Sequence, residues 1–246
     1  MCVCVRLRIN LARSSSCPCL IQVWGISASN QVYFRAFASP TSPGISWVPI
    51  VSLTIRLSQI SVGGGFGDVF GLGIVGIIGS SGRFVYYREG ITKSNPYGTG
   101  WRWLGAQRLV WISVGGGFGD TRRPDDENGP DILRLTNGND DDGDVDYSQF
   151  DPRLPEVWGV GASGLVYRRT GITRGDRAGK SWEVVSAFPP MRTVSVNGDA
   201  SIVYGTSTER VADGYRMYYF VVNGGRFWIP LGGITNIAGA VSIAAF

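Results

Sequence analysis

The chain has 246 residues, 43% of them apolar, and a net charge of +4 from 23 Lys and Arg against 19 Asp and Glu. That length can bury a sizeable core without a disulfide or metal staple. Histidine is missing altogether, which excludes Ser-His-Asp and Cys-His nucleophiles, His-ligated zinc and imidazole acid–base chemistry; catalysis would have to rest on carboxylates, Tyr or Arg.

Residues 1–21, MCVCVRLRINLARSSSCPCLI, open the chain. Arg6, Arg8 and Arg13 break up any apolar stretch of a secretory leader. The segment is read either as the first strand of a repeat unit, because Ile60 less one 52-residue period falls near Arg8, or as a misassigned gene start. It holds all four cysteines, Cys2, Cys4, Cys17 and Cys19, in C-x-C pairs tighter than the usual spacing of structural zinc ligands. They are read as free thiols, and no metal or other cofactor is assigned. The body, 22–246, has neither cysteine nor an N-x-S/T sequon, which favours a reducing compartment. No apolar run is long enough to span a bilayer.

The first unit shows VWGISASN at 23–30, VYFR at 32–35 and Trp47. The second has ISVGGGFGD at 60–68, VYYREGIT at 85–92 and Trp101. The third repeats ISVGGGFGD letter for letter at 112–120, then VYRRTGIT at 166–173 and Trp182. Asp68 and Val85 are 17 residues apart but Asp120 and Val166 are 46, so the third unit carries 29 extra residues; an acidic insertion is placed at about 121–153 and expected to be a mobile, removable excursion. The fourth unit is more diverged, with TVSVNG at 193–198, VYG at 203–205 and Trp228, and AVSIAAF at 240–246 reads as the first strand of a fifth. Apolar letters alternate in short runs rich in Val, Ile, Tyr and Phe, separated by Gly, Asn, Ser and Pro clusters. Each unit therefore reads as three or four antiparallel strands: an ISV strand, a VWG strand, a VYxR strand and a short strand ending at Trp. Such a unit exposes sheet edges and faces that stacking with its neighbours covers, so the expected fold is an all-β propeller with about four visible blades.

VWGVGASGLVYRRTGIT…GKSW at 157–182 and GIIGSSGRFVYYREGITKSNPYGTGW at 76–101 resemble the tectonin repeat. The likeness covers most of residues 22–246; unit one loses GIT, and unit four keeps little beyond VYG and Trp228. The resemblance implies a β-propeller, commonly of six blades, so four blades imply either part of a larger ring or an atypical closure. It also implies one of two settings: larger intracellular proteins of autophagy and lysosomal membranes, or compact secreted lectins.

The residues themselves offer few reactive groups. Trp47, Trp101, Trp182 and Trp228, with Arg35, Arg88 and Arg169, are read as structural repeat positions, the arginine stems beside tryptophan and their heads in water. Ligand-facing positions are sought instead in the variable loops, at Thr92, Asn95, Thr173 and Asp176. DRAGKSW at 176–182 approaches a sialidase Asp-box with its Asp-to-Gly gap one residue too long, and is read as a turn. Gly71, Gly73 and Gly76 satisfy G-x-G-x-x-G without the following helix that a dinucleotide site needs. Asp140, Asp142, Asp144 and Asp146 suggest a calcium loop whose first and twelfth positions lack their carboxylates.

Residues 121–156 hold eleven of the nineteen acids and four of the bases, leaving +11 on the rest. The expected function is a non-enzymatic binding or scaffold propeller, cytoplasmic and peripheral on lysosomal or autophagosomal membranes. Its expected partners are proteins and anionic lipid or phosphoinositide, and nucleic acid is not among them. The alternative is a secreted lectin that binds carbohydrate in innate defence.

Overall fold

The computed structural model describes residues 3–5, 23–35, 44, 46–51, 55–64, 67–74, 82–92, 94–116, 154–186, 188–211, 214–222, 225 and 227–231. Every regular element among them is a strand, and none is a helix long and apolar enough to cross a membrane. Sixteen strands form four antiparallel four-stranded sheets, each taken in chain order. Blade one is β1 (Val3–Val5), β2 (Val23–Ile26), β3 (Val32–Arg35) and β4 (Trp47–Pro49). Blade two is β5 (Leu57–Gly63), β6 (Asp68–Gly73), β7 (Arg83–Glu89) and β8 (Gly100–Leu109). Blade three is β9 (Trp111–Gly115), β10 (Glu156–Val160), β11 (Val166–Thr170) and β12 (Ser181–Ser186). Blade four is β13 (Met191–Val196), β14 (Ile202–Val211), β15 (Gly214–Val221) and β16 (Ile229–Pro230).

The expected ISV segments 60–62, 112–114 and 194–196 fall in β5, β9 and β13, the first strand of successive blades. Their serine explains the phrase. Ser61 Oγ accepts a hydrogen bond from Val114 N at 3.0 Å, and Ser113 Oγ accepts one from Val196 N at 3.1 Å. Each first strand thus holds the next by a side-chain-to-backbone bond, which satisfies an amide that no ladder reaches. Gln59 adds a two-way bond to Ile112, and Trp111, at the equivalent place, donates to Val194 O at 2.8 Å. The glycine that follows ISV is required by closeness: a Cβ on Gly63 would stand 2.8 Å from Gly115 O. First strands therefore lie side by side and run the same way, so all blades share one upper end and one lower end. At the upper end strand one hands over to strand two, and three to four; at the lower end two hands to three, and four to the next blade.

The core lies between blades. Trp24 and Phe34 of blade one pack with Leu57 and Ile60 of blade two. Phe70 and Leu72 of blade two pack with Ile112 and Val157 of blade three, and Trp158 of blade three packs with Phe220 and Trp228 of blade four. Trp24 and Trp158 are fully buried at the same place in their blades. Each such buried aromatic contributes roughly 2–3 kcal/mol over an exposed one.

Three expectations change. The fourth strand starts at its tryptophan and does not end there: β4, β8 and β12 begin at or one residue before Trp47, Trp101 and Trp182, and in blades two and three the loop before Trp is a compact turn that the extended chain follows. In blade one the first strand is Val3–Val5, not near Arg8; Cys4 faces Gly25 as Ile60 faces Gly71. In blade three Gly115 faces Glu156, whereas Gly63 faces Asp68. Glu156, not Asp120, is therefore the counterpart of Asp68, and the inserted connection is 116–155 against 64–67. Trp228 keeps the repeat register: it stands two positions before Pro230, which faces Tyr218, as Trp47 stands two before Pro49, which faces Tyr33. It covers the strand-two glycine, lying near Gly205 as Trp47 lies near Gly25. Residues 117–153, with Asp140, Asp142, Asp144 and Asp146, and residues 240–246 lie outside the described residues.

Candidate functional site

The loops between strands three and four, at the upper end, hold most of the residues that the sequence singles out. Arg35, Arg88 and Arg169 close the third strand and face Trp47, Trp101 and Trp182 across the ladder. Each guanidinium stacks on its tryptophan, 5.4, 5.3 and 5.3 Å from the ring centre. The heads of Arg88 and Arg169 are not in water: both residues are buried. Arg88 donates to Tyr97 O and Gly98 O, and Arg169 to Ala178 O and Gly179 O, at 2.8–3.3 Å. Arg35 donates to Gly44 O at 2.9 Å. One fork thus fastens the carbonyls that would otherwise be orphaned in a tight turn. Burial lowers the guanidinium pKa of Arg88 and of Arg169 from its ordinary value.

Thr92 and Asn95, with Thr173 and Asp176, build the same turn twice. The Asn95 and Asp176 amides each bond a threonine Oγ1 at 3.0 Å, and both threonine amides donate back to the carbonyl three residues on. Asp176 Oδ1 also accepts from Arg102 Nη2 of the preceding blade at 2.6 Å. Asn95 Oδ1 is buried without a hydrogen-bond partner, and the blade-one residue at Arg102's place in the register is Val48.

A polar cluster that the sequence did not reveal joins blades two and three. Asp68, at the start of β6, is 2% exposed. Its carboxylate accepts from Tyr87 Oη at 3.0 Å and from Arg177 Nη2, which reaches over from the blade-three loop. Desolvation is the larger influence, and it pushes the Asp68 carboxyl up to about 6 against the pull of Arg177 and Tyr87. Burial and the neighbouring Asp68 charge raise the Tyr87 hydroxyl above its usual range. Arg102 spreads over the Tyr87 ring at 5.6 Å and pairs with Glu89 at 3.3 Å. At the matching place in blade three, Glu156 is held by Arg168 at 2.6 and 3.0 Å and by Trp158 Nε1 at 2.6 Å. Tyr87 and Arg168 occupy the same rung, so both blades pair a strand-two acid with a strand-three donor. The signal for this was the shared frame DVFG at 68–71 and EVWG at 156–159, hidden because identical letters continue to Asp120. Chemically, these groups fasten loops and blades.

Residues 5–117 match the family described as Tectonin domain, and residues 156–185 match one described as Propeller. No curated protein matches the chain. With four four-stranded blades on one repeat register and these two matches, the chain is a β-propeller of tectonin-type blades, its tectonin match spanning residues 5–117.

Proposed function

We propose that this scaffold propeller works at intracellular membranes, tethering autophagosomal and lysosomal surfaces through protein and anionic-lipid contacts, with no catalysis of its own. The observation that carries the reading is charge: outside residues 121–156 the chain holds +11. A surface of that sign gathers on anionic bilayers by long-range attraction. The missing histidines, and the engagement of Asp68, Glu156 and Asp176 with arginines, support a non-enzymatic role. A body without cysteine or sequon supports a cytoplasmic setting. The carbohydrate reading draws less support, since Trp47, Trp101 and Trp182 each carry an arginine on a ring face that a sugar would need.

The test is co-sedimentation of the full chain with phosphatidylcholine vesicles, with and without phosphatidylserine, at low and moderate salt. A panel of glycoside substrates is run beside it. The expected result is binding to the anionic vesicles alone, weakening as salt rises, with no turnover. Turnover of any glycoside, or failure to bind anionic vesicles even at low salt, would contradict the reading.

A further inference from the structure

Strand direction sorts the charges by end. Asp68, Glu89, Glu156 and Asp176 all stand at the upper end, as do Glu183 near the start of β12 and Asp199 in the turn after β13. Most of the cations there are engaged, Arg102, Arg168 and Arg177 in ion pairs and Arg88 and Arg169 beneath their loops, while Arg174 and Lys180 are exposed. Residues 121–153, which hold ten of the nineteen acids, join the fold at this same end, between Gly116 and Leu154.

The lower end is the opposite. Arg56 precedes β5, Arg83 opens β7, Arg108 lies near the close of β8, Arg192 is near the start of β13, and Arg210 is near the end of β14. All but Arg108 are exposed. Arg192 and Arg210 converge on one phenol ring, 3.9 and 5.7 Å from the centre of Tyr215. Among the described residues one carboxylate stands at this end, Glu209, 3.5 Å from Arg216. Between these cations the connecting loops present Val51, Ile74 and Phe188, at 74%, 42% and 79% exposure. Exposed apolar side chains such as Tyr97 and Phe227 occur at the upper end too. At the lower end they stand among Arg56, Arg83, Arg192 and Arg210, none of which forms an ion pair among the described residues.

We propose that the lower end is the surface on which this propeller docks to an anionic bilayer, Arg192, Arg210, Arg83 and Arg56 meeting lipid phosphates while Phe188 and Val51 enter the headgroup boundary. The inference rests on the anionic-surface reading above and assigns it a face. Guanidinium forks match phosphate oxygens bidentately. Exposed apolar side chains flanked by cations have the composition of interfacial anchors. The cations are spread from blade two to blade four and are not gathered in one pocket, which fits a broad charged plane better than the shaped surface of an acidic protein.

The experiment is flotation of the full chain with phosphatidylserine-containing vesicles across a salt series. The variants are Arg192→Ala/Arg210→Ala, Arg56→Ala/Arg83→Ala and Phe188→Ala, with Arg174→Ala/Lys180→Ala as an upper-end control. Thermal melts check that each variant is folded, and the two arginine pairs guard against one of them failing. Each lower-end pair is expected to weaken binding about 10–30-fold and flatten the salt dependence. Phe188→Ala is expected to weaken it with the salt dependence unchanged, and the control to bind as the native chain does. Folded lower-end variants that bind normally, or a control that loses as much, would overturn the proposal. So would variants that keep vesicle binding but lose capture by immobilised polyglutamate, which would assign the face to acidic protein. Failure of the native chain to bind any anionic vesicle would instead defeat the broader reading.

Discussion

Burial of Asp68 gives folding a pH signature. Its carboxyl titrates at about 6 in the folded chain and at an ordinary 3.8 without the fold. Between those values the folded state keeps a proton that the unfolded state has released. Stability therefore falls as pH rises from about 4 to about 6 and levels off above that. The difference is worth roughly 2–3 kcal/mol. Asp68→Asn keeps an acceptor for Tyr87 and Arg177 and removes the titration. Urea unfolding of both proteins at pH 4 and pH 7 is expected to show the native chain losing more stability than the variant over that interval. Parallel pH profiles would contradict the assignment. Little of this was legible beforehand: alternation and repeat spacing report which residues share a rung, and they cannot report that an arginine from a different blade closes on a carboxylate. The repeat did mark Arg88 and Arg169, but not that their heads are buried, because a stem on tryptophan fits an exposed head equally well.

The hairpin between the first two strands shows how far repeats can be followed. In blade two, Gly63 faces Asp68 across residues 64–67; in blade three, Gly115 faces Glu156 across 116–155. Both connections leave and rejoin at the same rung, so the long one is closed by the sheet and owes nothing to its own length. Replacing residues 116–155 with the four residues at 64–67 shortens the closed loop about tenfold. Loop closure then costs about 2 kcal/mol less. The melting temperature is expected to hold or rise, and a fall of more than about 5 °C would show that the insertion braces the fold. The strands, their order and the ISV register were legible because β-branched alternation and turn residues act locally. The counterpart of Asp68 was not, because identical letters ran past the point where the two backbones part. Blade four was dimmer still: Phe220 stands where blades one to three place Arg35, Arg88 and Arg169, so Trp228 packs on an aromatic ring and not on a guanidinium.

Across the whole molecule, uneven charge was visible in the sequence as an acidic insertion against a basic body. Its direction was not. Only the up-and-down course of the strands puts Gly116 and Leu154, which flank the insertion, and the paired acids at one end and the exposed arginines of blades two and four at the other. The loops at Thr92, Asn95, Thr173 and Asp176, sought as ligand-facing, lie at the acidic end and bond largely within themselves. The most direct test of the account is the orientation of the bound chain. A polarity-sensitive fluorophore is placed at a single cysteine, Phe188→Cys in one protein and Lys180→Cys in another, with Cys2, Cys4, Cys17 and Cys19 replaced by serine. On adding phosphatidylserine vesicles, the probe at 188 is expected to shift to the blue and be quenched by nitroxide lipids, while the probe at 180 stays in water. A blue shift at 180 with none at 188 would contradict the account.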